Sequence, residues 1–121
     1  MKPPNLFVKK RTKNIFFENA SERTDMQQRV DPILRKYHTD MYICGHIHNF
    51  QHIKPANSTI DYIVNSAASL ARDNVAPIEG TIFANGQPGF SILSFTKQEL
   101  CLDLINAQGE TIHSVKRTKA N

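Results

Sequence analysis

Val30, Ile33, Leu34 and Tyr37 recur at i, i+3, i+4 and i+7, the apolar stripe of one helical face. Thr24, three residues before Gln27, fits a capping box, and Asp25 suits the first turn of a helix. Arg35 and Lys36 supply the positive charge that a helix C-terminus favours. Pro32 constrains the start: either the regular helix begins near Arg29, with the proline in its first turn, or the helix kinks there.

The continuous apolar run Met41-Tyr42-Ile43-Cys44 predicts a short strand covered on both faces, and Ile60-Asp61-Tyr62-Ile63-Val64 predicts a second. The second runs into the small-residue series Asn65-Ser66-Ala67-Ala68-Ser69. Residues 70–88 hold Asp73-Asn74, Pro77, Gly80, Asn85-Gly86 and Pro88, which predicts a long loop. The last third reads as a meander of three strands, Phe90 to Phe95, Leu100 to Ile105 and Thr111 to Val115. Leu100, Leu102 and Leu104 alternate with polar or small neighbours, the period of a half-buried strand. Residues 1–20 have no clean period and stay unassigned, with Ile15-Phe16-Phe17 the main apolar cluster.

At 121 residues, 40% hydrophobic and 21% charged, the chain has the length and composition of one globular domain. No apolar run approaches the roughly 18 residues of a membrane span, and the N-terminus has no secretory apolar region. The formal charge of +4 is concentrated at the ends, in Lys9-Lys10-Arg11, Lys13, Lys116-Arg117 and Lys119. Without an aromatic ladder or recognition motif this reads as solvated basic ends rather than a nucleic-acid surface. Cys44 and Cys101 are too few for a disulfide framework and read as buried free thiols. The sequons at Asn19 and Asn57 carry meaning only in a secreted eukaryotic protein.

The first strand ends in Gly45-His46-Ile47-His48. Neutral imidazoles bind divalent metals, and residues two apart in a strand or tight turn project to one side. Ligands of open α/β sheets gather at the carboxyl ends of strands, and Gly45 gives the backbone room to turn or another group room to approach. From this spacing alone two readings stand, part of a metal site or polar residues of an exposed turn. Two histidines do not complete a site, since zinc takes about four ligands.

Asp40 to Gln51, read as strand then G-H-x-H-N-x-Q, resembles the last signature of the calcineurin-like metallophosphoesterases, most nearly that of the small purple acid phosphatases. The preceding helix with its proline, the Tyr62-Ile63-Val64 strand, the small-residue series and Gly89-Phe90 follow in the same order, so the resemblance covers residues 24 to about 117. It implies a four-layer α/β/β/α sandwich of which residues 21–121 form the C-terminal portion, one helix and then mostly strands. It also implies two metal ions about 3.5–4 Å apart (iron with iron, zinc or manganese), with metal-activated hydroxide attacking a phosphate monoester. His46 and His48 match the two metal ligands of the motif, one to each ion. Asn49, Gln51 and His52 stand where residues orienting the imidazoles would lie, or are ordinary turn polar groups. His38 and His113 read as structural or surface residues.

Such a site needs roughly seven ligands from several motifs, and only the last motif is present. The earlier G-D-x-x-Y and G-N motifs have no counterpart, and the first histidine is His38. Asn65-Ser66-Ala67-Ala68-Ser69 also lacks the two glycines of the S-G-A-G-S series. The expectation is therefore the C-terminal part of a larger phosphatase, inactive alone, divided from its N-terminal half between the last two ligand motifs. Residues 1–20 would then reflect a shifted frame or misplaced start, and the compartment stays open, the resemblance implying only that related parents are often extracytoplasmic. The alternative is a small basic binding module with a degenerate metal site.

Overall fold

In a computed structural model of the chain, residues 25–65, 68, 71 and 76–119 are described. Thr24 of the expected capping box, residues 1–20 and most of the small-residue series lie outside them.

The chain enters through a π-helical turn, Met26–Val30, in which the Asp31 N–H donates to the Met26 carbonyl five residues back. A six-residue α-helix, α1 (Asp31–Lys36), follows with Pro32 in its first turn. Proline has no N–H to give and its ring crowds the carbonyl four residues earlier, so the α ladder cannot run through this point and the preceding turn widens. The wide turn resets the helical phase. Met26 and Asp31 are buried and Leu34 packs against the core, a spacing of five and then three. The predicted stripe is corrected: Ile33 is 56% and Tyr37 70% exposed, and Val30 is exposed as well.

The helix ends in a Schellman motif. The N–H of His38, at φ 53°, donates to the Arg35 carbonyl (3.2 Å), and that of Thr39 to the Leu34 carbonyl (3.0 Å). His38 thus has a backbone role. Buried Asp31 accepts from the Tyr62 hydroxyl and from Arg35 Nε (2.8 Å), while Arg35 Nη1 reaches the Asn57 carbonyl (3.0 Å). These bonds fix the helix over the first sheet.

That sheet contains β1 (Met41–Cys44), β2 (Phe50–Ile53), β3 (Asp61–Val64) and β4 (Thr81–Asn85) in the order β1-β3-β2-β4. β1 and β3 are parallel, pairing Met41 with Asp61 through Cys44 with Val64, and β2 runs antiparallel to both β3 and β4. β3 is buried along its whole length. Among the described residues β1 is instead an edge strand with Ile43 41% exposed, which corrects the expectation of cover on both faces. The predicted loop at 70–88 is also corrected, since it contains β4. β2 has no apolar signature because Gln51 and His52 are buried in it as polar residues.

The second sheet is the meander β5 (Gly89–Phe95), β6 (Glu99–Asn106) and β7 (Thr111–Thr118). Leu102 and Leu104 of β6 and Val115 of β7 pack against Phe50 and Ile63 of the first sheet. On that sheet's other face, Met26, Ile53, Ile60, Tyr62, Val64 and Ile78 form the core beneath the helix. The architecture is α/β, with a helix, a mixed sheet and an antiparallel sheet stacked as layers. Gly89 is required where β5 begins: a Cβ there would stand 2.0 Å from the Ile105 carbonyl oxygen and 2.9 Å from the Phe50 ring. Among the described residues no helix is long and apolar enough to cross a membrane.

Both cysteines are free but only partly buried. Cys44 sits on the edge strand, its thiol donating to the Ile63 carbonyl at 3.5 Å, and burial pushes that thiol up to about 12. Cys101 lies on the face of β6 opposite Leu102 and Leu104, beside Asp103.

Arg117, read above as part of a solvated basic end, joins the two sheets. Its Nη1 donates to the Thr59 carbonyl (2.7 Å) and to Asp61 Oδ2 (3.1 Å), and its Nη2 pairs with Asp40 (3.2 Å). Removing one partner of a buried charge leaves the other uncompensated. Arg117→Met is therefore expected to lower unfolding stability by roughly 3 kcal/mol, read from the urea midpoint. Lys116→Ala, which breaks an exposed pair with Glu99, should change it by less than about 1 kcal/mol.

Candidate functional site

β1 and β3 run in the same direction, so their carboxyl ends lie side by side. After Cys44 the chain crosses over the end of β3 to enter β2 on its far side, and residues 46–49 form that crossing bend. The N–H of Asn65, at the exit of β3, donates to the Cys44 carbonyl (2.8 Å) and closes the strand ends beneath the bend. Asn65 Oδ1 also accepts from Ser91 Oγ of β5 (2.6 Å), tying this end to the second sheet.

Both motif histidines lie in the bend. His46 is exposed and has φ 75°, the left-handed region that a side chain with a Cβ disfavours. Gly45 carries no positive φ, and a Cβ there would meet nothing within 4 Å. The turn expected of the glycine is thus made by the histidine, while Gly45 leaves open space above the strand end. Residues held in such conformations cluster where function requires them. His48 is half-buried, and its Nδ1 is buried with no hydrogen-bond partner among the described residues.

The other candidates divide between the two faces of β2. The Asn49 N–H donates to the Ile47 carbonyl (2.9 Å), closing a three-residue turn, and Asn49 Oδ1 accepts from Gln51 Nε2 (2.6 Å). Both residues are buried and brace the bend from its base. His52 faces the other way, between the sheets. Its Nε2 lies 2.7 Å from Asp61 Oδ1 and its Nδ1 2.9 Å from His113 Nε2, so both ring nitrogens are engaged away from the bend. His113 stacks on Phe83 with centroids 4.5 Å apart, and it was not foreseen as a partner of His52 because 61 residues separate the two.

A bare buried imidazole nitrogen on His48 and a second imidazole on the same bend fit the neutral nitrogen donors that transition metals take. They fit as part of a centre. Among the described residues, no group of three or more His, Cys, Asp or Glu side chains is gathered to hold an ion.

Replacing His46 by glycine removes the Cβ that its backbone conformation disfavours. His46→Gly is expected to keep or raise stability, by up to about 1 kcal/mol, whereas His46→Val should lower it. Thermal unfolding of the two variants beside the native chain checks this.

No protein-family model matches the chain. It is 27% identical over 99 residues to purple acid phosphatase 4 of Arabidopsis thaliana, covering 78% of this chain and 29% of that protein. Over 105 residues it is 28% identical to tartrate-resistant acid phosphatase type 5 of Oryctolagus cuniculus, covering 77% of this chain and 32% of that protein. The chain thus spans about a third of the length of the curated relatives it matches. Among solved structures, "GAP50 the anchor in the inner membrane complex of Plasmodium" superposes over 98% of this chain and 35% of its own, at a TM-score of 0.75 and 16% identity. The chain is thus similar in sequence to purple acid phosphatases, at 27–28% identity, and shares the fold of the solved structure.

Proposed function

We propose that the chain is a portion of a dinuclear-metal phosphoesterase acting on phosphate monoesters, to which it contributes His46 and His48 as metal ligands. One observation carries the reading: a histidine held in a left-handed conformation and a buried bare imidazole nitrogen share the bend at the carboxyl end of β1. The relation to purple acid phosphatases supports it.

His46 and His48 would hold the ions together with ligands from a segment beyond the described residues. Bound there, the paired ions would supply Lewis acidity toward the phosphoryl oxygens and lower the pKa of a nucleophilic water. The protein's own contribution is positional. The Asn49–Gln51 hydrogen bond and the Asn49 turn hold the bend, so the imidazoles need little reorganisation to bind. Edge strand β1 exposes Ile43, and β5 exposes Leu93 and Phe95. Asp40 before β1 and Phe95 of β5 line one pocket. The remaining part of the domain would cover these exposed strands and bring the missing ligands.

The binding-module alternative draws less support, because at the described basic end Arg117 is tied to Asp40 and Asp61, and Lys116 to Glu99.

In the full-length protein, His46→Ala and His48→Ala should each lower kcat/KM for p-nitrophenyl phosphate by at least roughly 100-fold, with bound metal falling in parallel. Near-native turnover in either variant refutes the ligand assignment. The 121-residue chain alone is expected to give no metal-dependent turnover. Activity from it would sink the view that the missing ligands lie elsewhere.

A further inference from the structure

Outside the bend, a cluster of titratable groups lies between the two sheets. His52 on β2 and His113 on β7 face each other with 2.9 Å between Nδ1 and Nε2, and His52 also contacts Asp61 of β3 at 2.7 Å. His52 and Asp61 are buried and His113 is partly so. We propose that the His52–His113 contact is an acid-sensitive latch between the two sheets, closed when the pair is neutral and released when both imidazoles are protonated.

The hydrogen-bond roles follow from the neighbours. The Asp61 carboxylate accepts the proton on His52 Nε2, which leaves His52 Nδ1 as an acceptor in the neutral ring. His113 must then donate through Nε2, so one proton lies between the rings. A first added proton, on either ring, still leaves one N–H between the rings, but it places a charge in a partly buried contact. A second removes the remaining acceptor nitrogen, leaving two cationic N–H groups facing each other at hydrogen-bond distance. Bond and attraction are then lost together.

Among the described residues Asp61 is the carboxylate that faces the pair, through Oδ1 on His52 (2.7 Å). Arg117 of β7 (3.1 Å) and Lys54 beyond β2 (4.0 Å) already approach the other Asp61 oxygen, and Asp40 before β1 is taken by Arg117. From β4 the neighbour is the stacked Phe83 ring. On β6 the residue opposite His113 is Leu104, while Asp103 bonds Ser114 on the other face. Asp31 and Arg35 lie beyond the first sheet, under the helix. Burial, and then the neighbouring His52 ring, pull His113 below the ordinary imidazole range. With its folded value lowered, His113 contributes stability above the unfolded value of about 6.5, and that stability is lost as pH falls below it.

The test uses the full-length protein and its His113→Gln variant. Glutamine can still donate an N–H to His52 but does not titrate. The His113 ring resonances, assigned by their absence from the variant, are expected to titrate with a midpoint below about 6.5. The native urea midpoint should fall between pH 7.5 and 5.5, a range largely clear of carboxylate titration, and the variant should lose most of that fall. Parallel pH profiles in the two proteins, or a His113 midpoint at or above the free-imidazole value, would overturn the proposal. Should the variant fail to fold, the ring titration in the native protein decides by itself.

Discussion

A carboxylate buried between two sheets has to be met by positive charge or hydrogen-bond donors, and in this chain that carboxylate is Asp61. It begins the central strand β3, and it is met by His52 from the neighbouring strand, Arg117 from the opposite sheet and Lys54 at the end of β2. The energetic weight of such a group lies in what happens when a partner leaves, because the desolvated charge has no water to fall back on. The apolar contacts of Phe50 and Ile63 with Leu102, Leu104 and Val115 supply cohesion without direction. The polar contacts add the direction. Arg117 reaches Asp61, Asp40 and the Thr59 carbonyl at once, so β7 is held against the starts of both β1 and β3.

That fixation at one end of the parallel pair determines what lies at the other. With β1 and β3 in register from Met41–Asp61 to Cys44–Val64, the bend carrying His46 and His48 has one place to cross. The sheet is therefore a rigid support for a strained turn. Ridding the bend of its left-handed histidine would relax the backbone and discard the side chain that the proposed chemistry needs, a local form of the trade between stability and function. The His52–Asp61–His113 network stands apart from the bend although His52 is only four residues from His48, because successive strand residues point to opposite faces.

The meander and the helix–strand–bend order were legible in the sequence, and so was the histidine pair, because each is written in local spacing. β6 alternates, since one face is covered and the other is not. β3 reads as a continuous apolar run because both faces are covered. β2 was missed because its buried positions include Gln51 and His52, polar residues whose hydrogen bonds replace apolar contacts. β4 was missed because five residues between Gly80 and Gly86 give too short a pattern to outweigh the turn signals around it. The helix was found, but with the wrong face, because one proline changed the phase of the turn before it.

By itself the sequence determined which residues carry the candidate chemistry, the order of the elements around them and the family they resemble, all properties of local type and spacing. Tertiary structure alone decided that His46 rather than Gly45 takes the left-handed turn, that His48 Nδ1 is buried with no partner among the described residues, and that His52 turns away to Asp61 and His113. It also decided that Arg117 is a clamp rather than a tail. The His52 and Arg117 contacts depend on groups from strands distant in sequence, up to 77 residues apart. Only the packing of one sheet on the other brings such groups within hydrogen-bond reach.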